Sequence, residues 1–97
     1  MCKRLTARRM LVIIYYDQDN FEALYSLLDS FQNYIYRKRG LGYHRKLYLN
    51  FIKFTRKLLQ LEAMTEKEII ALRATILATR NVAEKEWLLA QINTFNP

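Results

Sequence analysis

Apolar residues in this chain recur mostly at steps of three and four, the spacing that one face of an α-helix produces. The clearest stripe is Leu47, Phe51, Phe54, Leu58 and Leu61, flanked by Tyr48, Ile52, Thr55 and Leu59. Lys46, Lys53, Arg56, Lys57 and Gln60 lie on the other side. The pattern predicts an amphipathic helix over residues 44–63. Upstream, Leu24, Leu28, Phe31 and Ile35, widened by Leu27 and Tyr34, predict a helix over 20–39. Asp19 is its expected N-cap, with Glu22 three residues on as in a capping box. Gly40 is expected to end it.

The remaining apolar segments divide less cleanly. Residues 5–17 carry Leu11, Ile14 and Tyr15 at helical spacing, with Val12, Ile13 and Tyr16 beside them. Such a helix is apolar nearly all round and is expected to be buried between neighbours. Three β-branched residues in a row also suit a buried strand, but no other segment offers a strand to pair with. Thr65-Glu66-Lys67-Glu68 is a capping box before Ile69, Leu72 and Ile76, with Ile70 and Leu77 alongside. A fourth helix to residue 79 or 80 follows. Asn81-Val82-Ala83-Glu84 repeats the cap logic more weakly before Trp87, Leu88, Leu89 and Ile92, a fifth helix ending near 94. Connections of two to five residues make successive helices antiparallel neighbours.

Composition narrows the class. A chain of 97 residues suffices for one small domain. Two glycines and one proline are too few for a turn-rich β fold. The expected fold is all-α, about five helices in antiparallel hairpins, with one helix pair over 5–39 and the remaining helices over 44–95. No apolar run reaches the roughly 20 residues of a membrane span. Lys3, Arg4, Arg8 and Arg9 before the apolar run 10–16 look faintly like a signal peptide. That run is short, holds two tyrosines and leads into acids, and no small-residue cleavage site follows. The single cysteine, Cys2, excludes an internal disulfide, and a reducing cytoplasmic setting is the default.

Charge is uneven. The net charge is +7, and up to Gln60 twelve Lys/Arg stand against four Asp/Glu, whereas from Leu61 onward four stand against five. No acid lies between Asp29 and Glu62. Within that gap, Arg37, Lys38, Arg39, Arg45, Lys46, Lys53, Arg56 and Lys57 are interleaved with Tyr34, Tyr36, Tyr43, His44 and Tyr48. These eight cations are the candidate partner-binding residues. A solvated face or an acidic protein partner is the first reading. RNA or single-stranded DNA is the alternative, since basic residues with stacking rings suit both phosphate and bases. A membrane surface would need the 44–63 stripe, which the core also needs.

Catalytic and metal chemistry find little material. Asp17 and Asp19 resemble the start of a calcium loop. Such a loop needs glycine at its sixth position and an acid at its twelfth, and these positions hold Glu22 and Leu28. The two aspartates are therefore read as turn and cap. His44 has no nucleophile plausibly paired with it. Cys2 sits in a terminus, and Trp87 reads as a core anchor. No enzyme activity, cofactor or metal is expected. Self-association is expected as a way to cover the apolar first helix.

The segment 5–39 resembles a tetratricopeptide repeat, a helix–turn–helix unit that stacks into solenoids and commonly binds proteins. Leu11 and Tyr15 fall on its large first-helix positions, Phe21 on its aromatic after the turn, and Leu28 on its large second-helix position. Its small positions are here Val12, Leu24 and Phe31, its turn glycine is Asp19, and its closing proline is absent. The stretches YLNFIKFTRKLL and AEKEWLLAQI look like the C-terminal end of large bacterial helical-repeat proteins. The resemblance implies a solenoid end or cap and a non-enzymatic interaction or structural role.

Overall fold

The computed structural model describes residues 3–95, and among these every regular element is helical. Five α-helices follow one another: α1 (Lys3–Asp17), α2 (Phe21–Arg37), α3 (Tyr43–Leu58), α4 (Glu66–Ala78) and α5 (Lys85–Thr94). A single 3₁₀ turn, Leu61–Ala63, lies between α3 and α4. None of these helices is long and apolar enough to cross a membrane. The chain divides into two compact units, Met1–Arg39 and Gly40–Pro97.

In the first unit α1 packs on α2. The α2 stripe Leu24, Leu28, Phe31 and Ile35 is fully buried, as its spacing predicts. The α1 expectation is corrected. Among the described side chains of that helix only Val12 is fully buried, while Met10, Leu11 and Ile14 are exposed. A hairpin of two helices covers one side of each, and all-round apolarity does not change that. Across the helices, the Arg8 guanidinium lies 4.1 Å from the Tyr34 ring centre, a cation–π contact.

The turn between α1 and α2 also differs from expectation. Asp19 is not the N-cap. Asn20 holds that position, without a side-chain cap bond. Asp19 adopts φ +56°. Its N–H donates to the Tyr16 carbonyl (3.1 Å), and the Asn20 N–H donates to the Tyr15 carbonyl (2.9 Å). This is a Schellman ending, with Asp19 at the left-handed position that glycine usually occupies. The aromatic pair across the turn is Tyr16–Phe21, edge to face at 6.2 Å, rather than Tyr15–Phe21. At its far end α2 stops at Arg37, because Lys38 turns to extended backbone (ψ 126°) before Gly40 is reached.

The second unit holds α3, α4 and α5. Gly42 precedes α3 with φ 57° and ψ −134°, a region open essentially to glycine alone. Helix α3 buries Tyr48, Phe51, Ile52, Phe54, Thr55 and Leu58. It ends at Leu58 rather than continuing to residue 63. The separate 3₁₀ turn still delivers Leu61 to the core, so the expected apolar position is kept while the helix is not. α5 packs against both α3 and α4, with Leu88 and Ile92 buried. Trp87 meets Phe51 with ring centres 6.1 Å apart.

Side chains and linker bonds fix these helices. Thr65 and Glu68 complete the predicted capping box at the start of α4. At its other end the Lys85 ammonium donates to the carbonyls of Leu77 (3.0 Å) and Thr79 (2.7 Å), satisfying acceptors that a helix C-terminus leaves open. The α4–α5 linker is held to α3 by Ala83 N–H to the Leu47 carbonyl (3.1 Å) and Asn50 Nδ2 to the Asn81 carbonyl (2.9 Å). Asn81 is thus an anchor of the linker. Glu84, at φ +55°, is the N-cap residue of α5.

Candidate interaction face and groove

The eight predicted cations fall in different places. Arg37, Lys38 and Arg39 belong to the first unit and are exposed at and beyond the end of α2. Arg45, Lys46, Lys53, Arg56 and Lys57 belong to α3, and there the helix sorts them. Lys46, Lys53 and Lys57 are exposed and stand at steps of seven and four, so they share one face. Eleven residues of helix span roughly 16 Å, which sets the length of this row. Arg45 and Arg56 are half-buried and lie on the flank, a quarter turn closer to the core. The sequence pattern placed all five together; the structure leaves a three-lysine row.

A groove opens between α3 and α4. Its volume is about 280 Å³, and its lining is Lys53, Phe54, Lys57, Met64, Glu68, Ala71, Leu72 and Thr75. Phe54 and Leu72 are buried and form the apolar floor with half-buried Met64. Lys53 and Lys57 rise on the α3 side, with the Lys53 ammonium 5.5 Å from the Phe54 ring centre. On the α4 side Ala71 and Thr75 are small residues one turn apart, which keeps that wall low.

The polar groups of the groove differ in how far they are already engaged. The Thr75 hydroxyl donates to the Ala71 carbonyl at 2.8 Å. Glu68 Oε1 accepts from the Thr65 N–H at 2.9 Å, while the Glu68 N–H donates to the Thr65 hydroxyl oxygen at 3.1 Å. The Thr65 backbone bond, then its side-chain bond, hold the Glu68 carboxyl below its ordinary range, and Lys57 across the groove adds to this. The groove therefore presents ammonium donors beside an apolar floor, and its one carboxylate is tied into a helix cap. Its volume lies at the lower edge of small-ligand sites and suits one or two side chains.

The other candidates have settled places. Near the aspartates, burial pushes the Tyr16 phenol up, with the charges of Asp19 and Asp17 adding. Among the described residues no group of three or more His, Cys, Asp or Glu is placed to hold a metal. His44 stacks on Tyr43 with ring centres 4.3 Å apart, and Tyr43 is 67% exposed. Cys2 lies outside the described residues.

Sequence reasoning found the lysines and the cap but not the groove. Leu72 read as core and Glu68 as cap, and both are so. What pairs them with Lys53 and Lys57 is that α3 packs chiefly on α5 and leaves a gap towards α4. The available signal was Ala71 and Thr75 at a four-residue step in a helix otherwise rich in isoleucine and leucine. Searches of family models, curated proteins and solved structures return no match to this chain.

Proposed function

We propose that the chain is a non-enzymatic protein–protein interaction module that engages an acidic partner through the α3 lysine row. The observation that carries this reading is the exposure of Lys46, Lys53 and Lys57 on one face of a helix whose opposite face is committed to the core. Exposed like charges on a rigid helix raise the local potential and steer an acidic surface. A structural role at the end of a tetratricopeptide-like stack fits alongside it. Asp19 takes the left-handed conformation at the place where that family has its turn glycine. Exposed Met10, Leu11 and Ile14 on α1 are the kind of surface that a stacked repeat or a second copy buries. A cytoplasmic setting accompanies this reading.

The test is a titration of a labelled glutamate-rich peptide at low salt. Binding is expected, and the triple variant Lys46→Glu, Lys53→Glu, Lys57→Glu should lose it with helicity unchanged by circular dichroism. Retained binding in that variant removes the row from consideration. Nucleic-acid binding is the second reading, favoured by exposed Tyr43, stacked on half-buried His44 at the start of the same helix. Its signature is an affinity for single-stranded oligonucleotides that falls with salt at a log–log slope of about −0.7 per neutralised phosphate.

A further inference from the structure

The geometry points to a specific occupant for the α3–α4 groove. It is an acidic helical segment of a partner protein that inserts one large apolar side chain over Phe54 and Leu72 while its carboxylates meet Lys53 and Lys57. This rests on the reading of the lysine row as a docking face for an acidic protein, and it adds where and how the partner is anchored.

The occupant's chemistry follows from the walls. An apolar floor rewards an apolar group, since burying it removes surface from water on both sides. Lys53 and Lys57 are four residues apart, so their side chains emerge about 6 Å from one another. Two carboxylates one helical turn apart in the partner match that interval. A basic partner would meet two ammonium groups. A purely apolar one would leave both lysines partly desolvated without a counter-charge. The small volume holds one large anchor side chain and excludes a second helix lying fully inside.

Glu68 gives the groove an internal competitor. Its carboxylate is close enough to Lys57 to feel that charge, so an arriving carboxylate and Glu68 contend for the same ammonium. Neutralising Glu68 should therefore strengthen binding of an acidic anchor segment, although it weakens the helix cap.

Two labelled helical peptides separate the possibilities. Both carry Glu at positions i and i+4; one has Leu at i+3 and the other Ala. The leucine peptide is expected to bind about tenfold more tightly, as partial burial of one such side chain allows, and to shift the methyl resonance of Met64. Ala71→Phe, an exposed helix position that fills the groove, should abolish the preference and leave the alanine peptide's affinity unchanged. Glu68→Gln should tighten the leucine peptide at a temperature where the variant is folded. Equal binding of the two peptides overturns the groove and leaves the lysine row standing. Binding of neither peptide overturns both.

Discussion

Two helix starts in this chain carry similar sequence signals and have different structures. Asp19 with Glu22, and Thr65 with Glu68, both place a capping side chain three residues before an acid. At α4 the box forms with both reciprocal bonds. At α2 it does not form, and Asp19 instead closes the preceding helix in a left-handed conformation. The difference is in what lies upstream. Thr65 follows a 3₁₀ turn and Met64 in extended backbone (ψ 146°), so Thr65 itself is free to adopt the extended backbone of an N-cap (φ −74°, ψ 162°). Between Asp17 and Phe21 only three residues must end one helix and begin another. The reversal takes a left-handed residue for itself, and the cap position passes to Asn20. A short helix–helix turn thus has priority over capping propensity.

The largest test of that contrast is Asp19→Thr. Threonine is a good N-cap, so a capping role at 19 would tolerate it. A β-branched residue at positive φ is instead strained, and a loss of about 1–2 kcal/mol is expected, read by urea or thermal unfolding. An unchanged midpoint would return Asp19 to the capping role. Next in size is Thr65→Ala, expected to cost about 1 kcal/mol through loss of the made cap. The opposite sign is expected for Asp19→Gly, a gain of about 0.5 kcal/mol once relief of the left-handed strain is set against the entropy of glycine. Asn20→Ala should move stability by only a few tenths, because the Asn20 side chain makes no cap bond.

The same contrast explains how much could be read in advance. The stripes of α2 and α3 were legible because polar and charged residues mark the opposite side of each helix, and every α2 stripe residue is buried. α1 offered no such division. In α4 the three- and four-residue steps from Ile69 to Leu72 and Ile76 mark the inward stripe: Leu72 and Ile76 are buried and Ile69 half-buried, while Ile70 and Leu77 beside them are 63% and 47% exposed. The lysine row was legible in residue identity, and helical spacing also sets Arg45 and Arg56 a quarter turn away, but grouping all five cations by charge alone hid that division. The groove was not legible. It depends on α3 choosing α5 over α4 as its main neighbour, a long-range outcome that no local pattern encodes.

The finest test lies in the acid limb of stability. Glu68 has its carboxyl pKa lowered in the folded chain, chiefly by the Thr65 backbone bond. A carboxyl that binds its proton less readily when folded stabilises the fold above the ordinary glutamate pKa. It loses that contribution as pH falls through the lowered value. Because Glu68 is exposed, solvent screens the effect and it should be small. Glu68→Gln should therefore flatten the decline of stability in this acid window slightly, without changing the shape of the curve near neutrality. Thr65→Ala, which removes the hydroxyl but keeps the Thr65 position's N–H, should flatten it less, since the backbone bond is the larger cause. An equal flattening in both variants would shift the weight from the backbone N–H to the hydroxyl. Parallel acid limbs in all three proteins would mean that the Glu68 carboxylate adds nothing to stability through the box, leaving the Thr65 hydroxyl as the part of the cap that separates the two helix starts.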